Sequence, residues 1–154
     1  MAKLQLSTFS GKHLIIIAGV GGNLMSEFVA AICQANPTVD MEFLLCPTLH
    51  QYTLRQQLIA LDFFLKSEAL ITDKNRFYEI LAVAPCNKTA VTDKGLWTEI
   101  STVGGAIWQS ENDVQARVAS AYLRKTLAHY CRVQLDDCSD VQHIIDAYSA
   151  INLA

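Results

Sequence analysis

A chain of 154 residues, half of them apolar, is long enough for one domain with a real core, or for one small domain with an appendage. Its net charge of -3 excludes a global basic field for nucleic acid, although a local stripe would suffice for RNA. Its five scattered cysteines form no C-x-x-C pair, which argues against a zinc ribbon or a disulfide framework and for reduced thiols in a cytoplasmic protein. No run is long enough to span a membrane, and MAKLQLSTFSGK lacks the apolar core of a signal peptide.

Met1 to Lys12 is a short, weakly patterned lead-in. His13 to Ile32 (HLIIIAGVGGNLMSEFVAAI) then reads as strand, glycine turn and helix. Leu14 to Ala18 is an unbroken apolar run that suits a strand buried on both faces. Gly19, Gly21 and Gly22 remove side chains where the backbone turns sharply or meets a ligand. Asn23 fits a helix N-cap, Leu24, Phe28 and Ile32 follow at helical spacing, and Asn36-Pro37 ends the helix. Ligands of open α/β sheets sit at the carboxyl ends of strands, which makes this turn the first candidate site. A P-loop would need Gly-Lys-Ser/Thr here. A dinucleotide fingerprint would need a third glycine at Leu24 and an acid after the next strand. Neither is present, and a tight turn without a ligand stays open beside the ligand reading.

Met41 to Cys46 is a second apolar strand, ended by Pro47-Thr48. Gln51 to Leu61 is a second helix, with Leu54, Leu58 and Leu61 on one face. Phe64 to Thr72 and Phe77 to Ala84 read as strands joined by the turn Asp73-Lys74-Asn75-Arg76, hence an antiparallel hairpin. The order is βαβαββ over residues 1–86. Residues 87–109, with Asn87, Thr89, Thr92, Gly95, Gly104 and Gly105, read as a linker.

Residues 110–154 read as an antiparallel helical hairpin. Ser110 to Asp113 and Ser139 to Gln142 resemble capping boxes. Ala116, Ala119, Leu123, Leu127 and Tyr130 form one apolar stripe; Val141, Ile144, Ile145, Tyr148 and Ile151 form the other. Away from the first stripe stand Arg117, Arg124, Lys125 and Arg132, either a solvated face or a phosphate-contacting one. His13, His50, His129 and His143 have no metal-ligand spacing. Cys46 is read as a small buried side chain in preference to a nucleophile. No residue stands out as a general acid or base.

In order along the chain, IIIAGVGG, LLCPT with LRQQL, and FYEILAVAP resemble the second half of the bacterial tRNA adenine-N1-methyltransferases. That family is class I and uses S-adenosylmethionine. Gly19, Gly21 and Gly22 match its A-G-M-G-G strand end, with Val20 for methionine. Pro47 matches its Q-P-N, with Cys46 and Thr48 replacing the polar pair, and Leu54-Arg55 and Tyr78-Glu79 match the rest. The resemblance implies a truncated Rossmann-like sheet whose last strand is antiparallel, followed by helices.

It further implies that Gly19 to Asn23 border the target adenine, that Pro47-Thr48 form a neighbouring wall, and that Arg55 contacts tRNA phosphate or pairs with a surface acid. Nothing before His13 supplies the acidic glycine-rich cofactor loop of that family. The expectation is therefore that this chain alone binds no S-adenosylmethionine and transfers no methyl, with a non-catalytic RNA-binding module as the alternative. Right-handed crossovers place both early helices on one face of the sheet. They leave the other face and the outer edge of His13 to Ala18 bare, and a homodimer through that strand is expected.

Overall fold

The computed structural model describes residues 5–86, 97–110, 112–137 and 140–153. Its elements are β1 (His13–Ala18), α1 (Gly22–Ala35), β2 (Met41–Cys46), α2 (Gln51–Ala60), β3 (Phe63–Asp73), β4 (Arg76–Pro85), α3 (Asp113–Asp137) and α4 (Gln142–Ser149), with short 3-10 turns at Leu6–Thr8 and Ala106–Trp108. Met1 to Leu4, the linker residues Asn87, Thr89, Thr92 and Gly95, and Cys138 and Ser139 lie outside the described residues.

The sheet runs β1-β2-β4-β3. β1 and β2 are parallel, and β4 is antiparallel to both β2 and β3. This is the expected βαβαββ arrangement, a Rossmann-like sheet portion followed by helices. The β3–β4 turn has Lys74 at φ 46° and Asn75 at φ 62°, the two consecutive positive values of a type I′ turn, which matches the twist of the strands it joins.

α1 and α2 cover the same face. Met25 and Val29 of α1 and Leu54 and Leu58 of α2 pack with Phe43 and Leu45 of β2, and Ile15 and Ile17 of β1 adjoin them. The opposite side of β1 is bare: Leu14 is 62% and Ile16 65% exposed. A strand apolar on both faces is thus covered on one, because both helices lie on that side. β1 also ends the sheet, so its outer edge has no strand beside it among the described residues.

Residues 97–109 of the expected linker are packed against the domain. Thr98 exchanges two backbone hydrogen bonds with Leu65, each 2.9 Å, and so caps the free edge of β3. Ile100 enters the first core, and Ile107 and Trp108 enter a second core with Tyr122, Ile144 and Tyr148. The helices run antiparallel: Gln134 Oε1 accepts the Val141 N–H at 3.0 Å, and four residues back Tyr130 stacks on Tyr148 at 6.0 Å.

Two helix starts differ from the sequence reading. Gly21, not Asn23, is the N-cap of α1, because the chain turns helical as soon as the glycine turn closes. Asn112, not Ser110, caps α3, its Oδ1 accepting the Gln115 N–H at 2.9 Å.

Candidate functional site

The loops after β1 and β2 end side by side, as the parallel register Ala18–Cys46 requires. Two backbone hydrogen bonds tie them together: Thr48 N–H to the Val20 carbonyl at 3.0 Å, and Gly22 N–H to the Leu49 carbonyl at 2.8 Å. Gly19 has φ +80°, which L side chains rarely adopt. A Cβ at Gly22 would run into the His50 carbonyl. Both glycines are therefore required by the joint itself. Gly21 differs: its φ is -72°, and a Cβ there would meet only the end of the half-exposed Leu49 side chain at 3.1 Å.

Asn23 and Thr48 are exposed at this rim, Val20 is half-buried and Pro47 is buried. The joint thus presents small groups, exposed backbone and two polar side chains beside a carboxyl-end crevice. Such a surface can border a flat ligand. Cys46 is half-buried, and burial pushes its thiol pKa up, away from a nucleophilic thiolate.

Arg55 takes neither of its expected roles. It is fully buried, pointing into the domain, and no phosphate can reach it there. Its Nε and Nη2 donate to Glu79 Oε2 at 2.9 and 2.8 Å, and Nη1 donates to the Ser101 carbonyl at 3.2 Å. Glu68 Oε2 lies 2.8 Å from Nη2 as an ion pair, without hydrogen-bond alignment. Glu68 Oε1 accepts the Gly105 and Ile107 N–H groups at 2.6 and 3.3 Å. Tyr122 of α3 donates its hydroxyl to Glu79 Oε1 at 2.6 Å.

One cluster therefore joins α2, β3, β4, the 101–107 segment and α3. Burial pushes the Glu68 carboxyl up, but the Arg55 charge and the Gly105 N–H outweigh it and hold the pKa below the usual range. Burial, then the Glu79 charge, drives the Tyr122 phenol upward, so it stays a protonated donor. The L-R and Y-E-I motif residues are thus partners of each other.

Beside this cluster a cleft of about 220 Å³ opens between the loop after β2, the start of β4 and the second half of α3. Thr48, which bonds Val20 at the first joint, also lines it. His50 adopts the left-handed conformation (φ 59°) at the start of α2, and Lys125 Nζ sits 5.4 Å from the Phe77 ring centroid. Sequence reasoning missed His50, Phe77, His129 and Tyr130 as cleft residues, since they come from three separated segments. Arg117, Arg124, Lys125 and Arg132 are all exposed on α3.

Among the described residues no group of three or more His, Cys, Asp or Glu could hold a metal ion. Among them no helix is long and apolar enough to cross a membrane.

No curated protein sequence matches the chain. Solved structures do. An uncharacterised Listeria monocytogenes protein superimposes with TM-score 0.57 at 21% identity, over 89% of this chain and 58% of its own. The Bacillus subtilis m1A22 tRNA methyltransferase TrmK gives 0.51 at 19%, over 88% and 58%. A putative tRNA (m1A22) methyltransferase from Streptococcus pneumoniae, in complex with S-adenosyl-L-methionine, gives 0.56 at 23%, over 88% and 58%. The chain spans a little under three fifths of the length of these structures, and at such identities the likeness is one of fold. The family described as methyltransferase domain matches residues 4–81, a little over half of the chain. With the β1-β2-β4-β3 sheet and its paired carboxyl-end loops, that match places the chain in the methyltransferase-domain family.

Proposed function

We propose that this chain supplies the RNA-facing part of a tRNA adenine-N1 methyltransferase that uses S-adenosylmethionine, in the cytoplasm. The observation that carries the proposal is the joint between the loops after β1 and β2, set at the carboxyl ends of parallel strands of a methyltransferase-family sheet. Gly19 to Asn23 border the flipped adenine, and exposed Thr48, with Pro47 buried behind it, forms a neighbouring wall. Bound S-adenosylmethionine would supply its sulfonium methyl to N1 and leave as S-adenosylhomocysteine, so these residues would position the ring and shape its pocket. An unstacked base is required for that approach. Arg117, Arg124, Lys125 and Arg132 contact tRNA phosphates outside the pocket.

The cofactor would lie against an acidic glycine-rich loop, and a segment carrying such a loop beside β1 would supply its site. Without it the bare β1 face and edge join two copies as a homodimer. The test supplies labelled S-adenosylmethionine and bulk tRNA to the 154 residues and to the same residues joined to such a segment. Transfer to adenine N1 is expected in the second case only. Clear transfer by the 154 residues alone overturns this division of labour.

The non-catalytic reading is favoured by one observation, the four exposed cations on one helix. It predicts salt-dependent tRNA binding, with no transfer in either preparation.

A further inference from the structure

Resting on the reading above, we propose that the cleft between the loop after β2 and α3 holds one unstacked RNA nucleotide flanking the methylated adenine, its base against the aromatic wall and its phosphate at Lys125 and His129. Size limits the occupant first. At about 220 Å³ the cleft falls below the roughly 300–1,000 Å³ of drug-sized ligand sites, which suits one nucleoside unit.

Charge selects the occupant next. The basic or ionisable nitrogens in the wall are those of His50, Lys125 and His129, and among the described residues no carboxylate lines it. That is a selective placement in a chain whose net charge is -3. The walls include half-buried Phe77 and Tyr130; Tyr130 stacks on Tyr148 and Lys125 lies over Phe77, so a base would stack on the ring surface these contacts leave open. Thr48 and Thr126 add polar side chains to the wall, the latter hydrogen-bonded to Tyr122.

Position ties the cleft to the target. Thr48 belongs to both places: its backbone bonds Val20 at the joint, and it lines the cleft. His50, two residues further, is a non-glycine residue held at φ 59°, the kind of local strain that collects at ligand sites. Arg124 and Arg132 are exposed on the same helix as Lys125, outside the cleft lining. A nucleotide seated here would thus adjoin the adenine joint through Thr48 and meet the cation of Lys125.

The test is a nuclear magnetic resonance titration of the isotopically labelled chain with a single-stranded RNA trinucleotide, adenosine monophosphate and inorganic phosphate. The trinucleotide is expected to shift the amides of Thr48–Gln51 and Lys125–Tyr130 and to bind more tightly than the monophosphate, with phosphate weakest. Lys125→Ala with His129→Ala, both exposed positions, should weaken trinucleotide binding about tenfold and flatten its salt dependence. Tyr130→Leu, which keeps an apolar filler, should weaken it about fivefold or more through lost stacking.

Undisturbed amides in those two segments, or unchanged affinity in both variants, overturns the proposal. Monophosphate binding as tight as the trinucleotide overturns it in favour of a free-nucleotide site. Cleft binding in a protein that never transfers methyl overturns the function reading alone. Methyl transfer whose KM ignores Lys125→Ala with His129→Ala overturns the cleft alone.

Discussion

Replacing Arg55 with methionine removes the cation and keeps an unbranched apolar side chain of similar reach. Two carboxylates then stay behind with side chains fully buried. Glu79 loses both guanidinium hydrogen bonds and keeps only the Tyr122 hydroxyl; Glu68 keeps the Gly105 and Ile107 N–H groups but loses its counter-charge. Breaking a buried ion pair from one side costs about 3–5 kcal/mol, a large part of the ~5–15 kcal/mol that holds a domain together. Urea unfolding followed by circular dichroism at pH 7 should show this loss.

The pH dependence gives an independent check. In the native chain the lowered Glu68 pKa means its contribution is complete above the unfolded value, 4.5, and is lost as pH falls through the lower folded value. In Arg55→Met Glu68 loses the cation that lowers its pKa, while burial still raises it and the Gly105 and Ile107 N–H groups still lower it, so its pKa moves up from the native position. The gap between variant and native protein should narrow from pH 7 towards pH 5. A loss under about 1 kcal/mol, or a gap that widens on acidification, would refute the assignment of Arg55 as the centre of a buried charge cluster.

Three further outcomes are expected. The raised Tyr122 phenol contributes fully below its unfolded pKa of 10.0 and loses that contribution as pH rises above it; the urea midpoint should fall above pH 10, and fall less in Tyr122→Phe. Gly22→Ala meets a backbone carbonyl, whereas Gly19→Ala meets open space and only an unfavourable φ; thermal melts should show about 1–2 kcal/mol lost at Gly19 and more at Gly22. Light scattering should show a dimer that Leu14→Lys with Ile16→Lys dissociates, since covering each of these side chains contributes up to ~1.5–3 kcal/mol, and a native monomer at high concentration would contradict this.

The sheet was legible in the sequence because its signals are local. LIIIA, MEFLLC and the Asp73–Arg76 turn each declare themselves within a few residues, and the Tyr130 and Tyr148 stripes do the same for the helices. Arg55 was misplaced because its partners lie 24 residues away and on another strand. Two signals pointed to the cluster. Arg55 shares a buried helix side with Leu54 and Leu58, and Glu79 alternates with Leu81 and Val83 on the inward face of β4. The packed part of 97–109 was hidden by its threonines and glycines, since Ile100, Ile107 and Trp108 show no period within so short a run. The cleft was illegible for the same reason: its wall is assembled by the fold from residues that no motif joins.

The most direct test of the central claim is the turnover of Gly21→Val in the chain joined to a cofactor-binding segment, measured with the melting temperature. Gly21 is the turn glycine with an ordinary φ at which an added Cβ meets only the movable Leu49 side chain, so a side chain there should cost about 1 kcal/mol for a poorer helix N-cap plus the shift of Leu49. If the turn borders the target adenine, the branched side chain displaces the ring, and adenine-N1 methylation should fall by about a hundredfold, with the melting temperature changed by only a few degrees. Undiminished turnover in Gly21→Val would contradict the claim and leave the turn as a structural joint alone.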